Sequence, residues 1–105
     1  MTATVRFHPA ARAEHDAVVD WYEAAEHGIG LRFAGEVAVA IARIGQRPLA
    51  YPLWKRGAPH RMAVLAGFPY LIIFMELSGG IGVMAIAHAK RKPGYWRARQ
   101  LGKPA

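Results

Sequence analysis

The chain has 105 residues and carries 14 Lys and Arg against 7 Asp and Glu, which gives a formal net charge of +7. Apolar residues make up 53% of it. A chain of this length and composition can bury one core, so the sequence predicts a single domain over residues 1–105. The absence of cysteine excludes disulfides and thiolate metal sites, and it fits a reducing compartment.

The N-terminus lacks the apolar core of a secretory signal, because Arg6, His8 and Pro9 interrupt every apolar run there. The longest apolar stretches, residues 70–75 and 81–87, fall short of the roughly 20 residues that a membrane-spanning helix needs. The sequence therefore predicts a soluble cytoplasmic protein with no membrane partner.

The charge is distributed unevenly along the chain. Residues 1–50 carry five Arg and six acidic residues, a balance of −1, whereas residues 51–105 carry nine Lys and Arg against Glu76 alone, a balance of +8. Basic residues that served only solubility would do so equally well if they were scattered. The asymmetry instead favours an anionic partner, either nucleic acid or an acidic protein segment.

The first half of the chain reads as a strand followed by two helices. Residues 4–7 alternate between polar and apolar side chains, which predicts a strand with one buried face. Apolar residues at helical spacing predict a first helix over residues 9–26, in which His15 occupies an apolar position without explanation, and a second over residues 31–47. The short turn at residues 28–30 predicts that the two helices pack as an antiparallel hairpin.

The second half reads as a loop over residues 48–59 and then three strands. The strand candidates are residues 60–66, 70–77 and 81–87, and a hairpin turn at Ser78-Gly79-Gly80 separates the last two. Because these last two are almost wholly apolar, we expect them to be central or buried on both faces.

The element order β-α-α-β-β-β predicts an α+β fold in which the helical hairpin packs on a curved, mostly antiparallel sheet. Pro93 suits the first position of a helix, and no helix-breaking residue follows between Tyr95 and Leu101. The sequence therefore allows a last short helix over residues 93–100.

Short motifs along residues 4–99, in this order, resemble those of the RelE/ParE superfamily of bacterial toxins. They are Trp21-Tyr22, Gly30-Leu31-x-Phe33, Arg47-Pro48-x-x-Tyr51-Pro52, Arg61 followed by Gly67-Phe68-Pro69-Tyr70, and His88-x-x-Arg91-x-Pro93-x-Tyr95-Trp96-x-x-Arg99. None is specific alone, but their order and spacing are hard to obtain by chance. The ending from His88 is more similar to the ParE and plasmid-stabilisation branch.

The resemblance implies the toxin of a type II toxin–antitoxin system and leaves three functions open. The first is a ParE-like toxin that inhibits DNA gyrase. The second is a RelE-like endonuclease that cleaves mRNA on the ribosome, and the third is a non-toxic interaction module. In each case the implied partner is an antitoxin with an acidic, partly disordered segment that forms a hetero-oligomer with the toxin. The sequence does not decide whether the free chain forms a homodimer.

A nuclease of this type needs cations around the phosphate and groups that transfer protons. The candidates are Arg61, Arg91, Tyr95 and His88, of which Arg91 and Tyr95 are similar in position to catalytic residues of RelE-like nucleases. Three of these four also have a structural interpretation: an Arg61–Glu76 ion pair, a strand-end hydrogen bond of His88, and anchoring of the C-terminus by Tyr95 together with Trp96. The strands at residues 70–77 and 81–87 carry Glu76 as their one charged residue, which disfavours RNA binding there.

The remaining candidates are basic or aromatic residues that suit binding of an antitoxin or a target. They are Trp21, Tyr22, Lys55, Arg56, Lys90, Arg91, Lys92, Trp96, Arg97 and Arg99. Of Trp21 and Tyr22, we expect one to lie in the core and the other to face a partner. The histidines show no spacing of metal ligands, so the sequence predicts neither a metal nor another cofactor.

Overall fold

The computed structural model describes residues 2–105. The helices and strands follow in the predicted β-α-α-β-β-β order. They are β1 (Val5–Phe7), α1 (Pro9–Ala25), α2 (Ile29–Gln46), a short 3-10 turn (Pro48–Ala50), β2 (Arg61–Val64), β3 (Tyr70–Leu77) and β4 (Gly80–His88). The predicted α+β fold is confirmed, and the four predicted strands and the two helices of the hairpin lie within three residues of their expected bounds.

The four strands form one sheet in the order β1-β4-β3-β2. β3 pairs antiparallel with both β2 and β4, and β1 pairs parallel with β4. The sheet is thus mostly antiparallel, as predicted. The parallel pairing covers only the first part of β4, from Ile81 to Val83.

Both faces of the sheet are covered, which explains why β3 and β4 are apolar on both sides. On one face, α1 and α2 pack against side chains such as Ile72, Phe74 and Val83. On the other face, Ile73, Met84 and Trp96 belong to a second buried cluster. Residues 89–105, here called the C-terminal segment, supply Trp96 and other side chains to that second cluster.

The C-terminal segment departs from the sequence prediction, because residues 93–98 form consecutive turns and no helix forms over residues 93–100. The amide of Arg97 donates to the Gly94 carbonyl, and the amide of Arg99 donates to the Trp96 carbonyl. Gly94 has φ +87°, a left-handed conformation that a continuing helix does not contain. The segment gives up helical hydrogen bonds and instead holds its side chains on the sheet.

The two helices approach closely at Gly30. A Cβ atom added there would overlap the Val19 carbonyl oxygen and the side chain of Glu23, both on α1. Gly30→Ala is therefore expected to lower the free energy of unfolding by about 1–3 kcal/mol, because the hairpin must separate to admit the methyl group. Urea denaturation followed by circular dichroism measures the change.

Gly35→Ala is the matched control on the same helix, since a Cβ at Gly35 meets no atom within 4 Å. It is expected to raise stability by about 0.5–1 kcal/mol, as Ala has the higher helix propensity. Equal effects of the two substitutions would contradict the close approach.

Candidate functional site

A cluster of charged and aromatic side chains joins α1 to the C-terminal segment, with Glu14 at its centre. Arg99 donates from Nη1 to Glu14 Oε1 at 2.9 Å and from Nη2 to Oε2 at 3.1 Å, a bidentate pair. The Tyr95 hydroxyl donates to Oε2 at 2.6 Å. The Arg91 guanidinium lies over the Tyr95 ring, 3.6 Å from its centroid, with Nη1 at 3.7 Å from Glu14 Oε2.

The same cluster occupies the edge of β4 that β1 leaves free. Beyond Val83, the amide of Ile86 donates to Glu14 Oε1 at 3.1 Å, and the Met84 carbonyl accepts from Arg99 Nη1 at 3.0 Å. Backbone groups at a sheet edge are a template for pairing with another chain. Glu14 and Arg99 satisfy two of them from within the molecule.

These contacts decide the protonation states of the cluster. Burial raises the pKa of Glu14, but the hydrogen bonds from Arg99, Tyr95 and the Ile86 amide together lower it more, so that it lies below the ordinary value. Burial and then the contact with Glu14 raise the pKa of Tyr95 to about 12. At neutral pH the cluster therefore holds a carboxylate, a neutral phenol and charged guanidinium groups.

The lowered pKa of Glu14 predicts a loss of stability in acid. A carboxyl group whose pKa is lower in the folded chain stabilises it fully above the unfolded pKa, here 4.5. The stabilisation is lost as the pH falls through the folded pKa. Urea titrations from about pH 3 to 7 should therefore show a decline below about pH 4.5 that Glu14→Gln reduces. Identical pH profiles of the two proteins would exclude this role.

Three aromatic rings form a further group, here called the ring cluster, where the loop before β2 meets the C-terminal segment. The Trp96 ring lies 4.7 Å from that of Trp54 and 4.6 Å from that of His60, between centroids. His60 is 6% exposed, and neither of its ring nitrogens has a hydrogen-bond partner among residues 2–105. Burial, followed by the positive charge of Arg97, lowers the pKa of His60, which favours the neutral ring. Arg97 also lies over Trp54, 5.6 Å from the ring centroid.

A cavity of about 330 Å³ lies between the Glu14 cluster and the ring cluster, on the face of the sheet away from the helices. Side chains of β2, β3 and β4 form its floor, and the C-terminal segment forms one side. The lining residues are Trp54, Met62, Leu71, Ile73, Ala87, His88, Ala89, Arg91, Lys92, Pro93, Tyr95 and Trp96. Seven of the predicted site residues thus meet at two adjoining places. Arg91, Tyr95 and Arg99 surround Glu14, and the other four lie around the cavity and Trp54: His88, Lys92, Trp96 and Arg97.

Arg61 lies apart from these residues. It pairs with Phe74 on one side of β3, whereas His88 pairs with Tyr70 on the other side. Phe74 and Tyr70 are four residues apart, which is about 13 Å along the strand. The ion pair with Glu76, the structural interpretation of Arg61, does not form among residues 2–105. Arg61 Nη1 donates instead to the Tyr51 carbonyl at 2.7 Å.

His88 makes a hydrogen bond at the end of its strand. Its Nδ1 accepts from the Lys90 amide at 3.0 Å, and its ring packs edge-on against Tyr70. Lys90 itself is exposed, like the basic pair Lys55 and Arg56 in the loop before β2. These three cations are available at the surface.

The aromatic pair on α1 divides as expected. Tyr22 packs against the core around Phe33 and Phe68, and Trp21 is 66% exposed. Trp21 is therefore the member of the pair that is free to meet a partner.

Three residues of these clusters, Glu14, Trp54 and His60, are not among the candidates from the sequence. Glu14 lies three residues after Ala11 and four before Val18, so it falls on the buried stripe of α1, and a carboxylate on such a stripe requires a buried cation. That signal was present in the sequence. His60 gave no signal, because its burial depends on Trp54 and Trp96, which are distant along the chain or in a loop. His15, unexplained in the sequence, packs against Phe7 and Phe33 and contacts Asp16.

Within the described part of the chain, neither helix is long and apolar enough to cross a membrane. Residues 2–105 also contain no group of three or more His, Asp or Glu side chains arranged to hold a metal ion.

The sequence and the fold were compared with those of known proteins. No protein-family model and no curated protein matches the sequence. Among solved structures, the chain is similar to a chain of the "Chromosomal ParDE TA system from P. aeruginosa", with a TM-score of 0.75 and 15% sequence identity. The alignment covers 85% of this chain and 98% of that one. The protein therefore has a ParE/RelE-like fold, as the resemblance of its motifs implied.

Proposed function

We propose that the protein is the toxin of a type II toxin–antitoxin system of the ParE kind, which inhibits DNA gyrase in the cytoplasm and is neutralised by a cognate antitoxin. The similarity in fold to a chain of a ParDE system, over 85% of this chain and 98% of that one, carries this proposal. The ParE-like ending from His88 and the excess of basic residues in the second half of the chain support it.

The state of the candidate catalytic residues favours a binding toxin over an mRNA nuclease. The Tyr95 hydroxyl is bound to a carboxylate, and its pKa of about 12 leaves it protonated at neutral pH, so it is a poor general base. Arg91 stacks on Tyr95 near Glu14, where part of its charge is neutralised. Arg61 lies two strands from His88 and donates to the Tyr51 carbonyl, which disfavours a phosphate site shared with His88. A nuclease would have to break the Glu14 cluster before it could use these groups.

The two activities are separable with purified toxin released from its antitoxin. We expect inhibition of supercoiling in a DNA gyrase assay, and no cuts in mRNA mapped by primer extension on translating ribosomes. Supercoiling left intact together with discrete cuts on the ribosome would instead establish the nuclease. The absence of both effects, with no growth arrest on induction, would leave an interaction module without toxicity.

The variant Tyr95→Phe sharpens the test, because it removes the hydroxyl and keeps the ring under Arg91. A gyrase inhibitor should keep its inhibition of supercoiling, after allowance for any change in the folded fraction. A nuclease that transfers a proton through Tyr95 should lose about 10²–10⁴-fold in cleavage rate.

A further inference from the structure

The cavity on the sheet has an apolar floor that is open to solvent. Met62, Leu71 and Ile73 are part of the second buried cluster or pack against it, and Ala87 adds a small side chain between them. Met62 and Leu71 are only half-buried, so apolar surface remains uncovered within the cavity. Covering this apolar surface with a partner is favourable, because it removes the surface from water.

Aromatic side chains form the walls and cations form the rim. Trp54 and Trp96 belong to the wall, and the exposed side chains of Arg91 and Lys92 stand at the opening. Glu76 is the one acidic residue in the whole second half of the chain, and it lines a different depression, beside Arg61 and Pro104. The Glu14 carboxylate lies 3.7 Å from Arg91 Nη1 but is paired with Arg99, so the charge at the opening remains positive. The opening therefore attracts negative charge, while the floor requires an apolar group.

The size of the cavity limits what it can hold. A volume of about 330 Å³ is at the lower end of the ~300–1,000 Å³ that is usual for pockets for small ligands. The floor has few hydrogen-bonding groups with which to orient a polar ligand. One or two apolar side chains of a peptide fit both the volume and the chemistry, and acidic residues beside them in that peptide would meet the rim.

We propose that this cavity receives a large apolar side chain from an acidic segment of the antitoxin, and that Arg91 and Lys92 hold the acidic residues that flank it. The inference rests on the proposed function for the identity of the partner. The partner chemistry itself follows from the apolar floor, the aromatic walls and the cationic rim.

The three tryptophans provide the measurement. Trp54 and Trp96 line the cavity, and Trp21 lies exposed on α1 as an internal reference. The probe is a short acidic peptide with one central Phe, titrated into the ¹⁵N-labelled full chain and followed through the indole N–H signals by NMR. We expect saturable shifts of Trp54 and Trp96 with little change at Trp21. The same peptide with Ala in place of Phe should bind at least about tenfold more weakly, since an aromatic side chain contributes roughly 1.5–3 kcal/mol on burial.

Two variants separate the parts of the site. Ala87→Leu fills the floor and should weaken the Phe peptide about tenfold while the Ala peptide changes little. Lys92→Glu reverses one rim charge and should weaken both peptides about three- to tenfold, with a loss that shrinks at high salt. Arg47→Glu makes the same change of charge at the end of α2 and should have little effect. The NMR spectra also report whether each variant is folded.

Other results would overturn the proposal. They are equal binding of the Phe and Ala peptides, equal effects of Lys92→Glu and Arg47→Glu, or shifts at Trp54 and Trp96 with single-stranded RNA but not with the peptide. Shifts that appear on concentrating the protein alone would assign the cavity to a second copy of this chain. Failure here is distinct from failure of the proposed function, because gyrase inhibition is measured without any peptide. Peptide binding without gyrase inhibition would leave the cavity assigned and the gyrase-inhibiting activity rejected.

Discussion

Glu14→Gln is expected to lower the free energy of unfolding by about 2–3 kcal/mol at pH 7. The substitution leaves the Arg99 guanidinium, 19% exposed, without its bidentate partner and weakens the hydrogen bonds from Tyr95 and Ile86. Breaking a fully buried ion pair costs about 3–5 kcal/mol. The cost here is smaller because both side chains retain some contact with solvent. Urea denaturation at fixed pH measures the change.

Asp20→Asn is the control for Glu14→Gln, because it removes the same charge from an exposed position on α1. Its effect should stay within about 0.5 kcal/mol. The double variant Glu14→Gln with Arg99→Met should lose less than the sum of the two single changes, since each removes the same pair. Additive losses, or a Glu14→Gln variant as stable as the parent, would contradict a structural role of the cluster.

Trp96→Ala is expected to be still more damaging, at about 3–5 kcal/mol. The Trp96 side chain is 2% exposed and fills the space between the sheet and the rings of Trp54 and His60. Its removal leaves a cavity and exposes the second face of β3 and β4. Since domains of this size are stable by about 5–15 kcal/mol, this loss removes a large share of the free energy of unfolding. Thermal denaturation followed by circular dichroism gives the first measurement.

Trp21→Ala is the matched control, since Trp21 is 66% exposed and should cost less than about 0.5 kcal/mol. Trp96→Phe keeps part of the ring and should fall between the two, which preserves the test if Trp96→Ala does not fold. A Trp96→Ala variant as stable as Trp21→Ala would show that the C-terminal segment does not stabilise the sheet.

Local signals predicted the fold well. Helical spacing of apolar residues located α1 and α2, and the glycines after residue 27 located the turn between them. The Ser78-Gly79-Gly80 turn fixed the hairpin of β3 and β4, and the continuous apolar runs indicated strands buried on both faces. These signals succeed because each depends on residues close together in the sequence.

The candidate site was predicted only in part. The motif of residues 88–99 contained Arg91, Tyr95 and Arg99, but their common partner, Glu14, lies more than seventy residues earlier in the chain. The helix allowed over residues 93–100 was wrong because the side chains of Tyr95, Trp96 and Arg99 gain more from the sheet and from Glu14 than from helical regularity. Tertiary contacts of this kind override the local helix propensity of a segment.

By itself, the sequence determined the order of helices and strands, the burial of the central strands and the concentration of positive charge in the second half of the chain. Only the tertiary structure decided which of these basic side chains are paired and which remain at the surface. In the folded chain, Glu14 pairs with Arg99 and neutralises part of the charge of Arg91 at the free edge of β4. Lys92 lies at the opening of an apolar cavity. The physical reason is that the role of a charged side chain depends on which groups surround it in space. The burial of Glu14 makes Arg99 a structural residue, whereas solvent leaves Lys92 free to meet a partner.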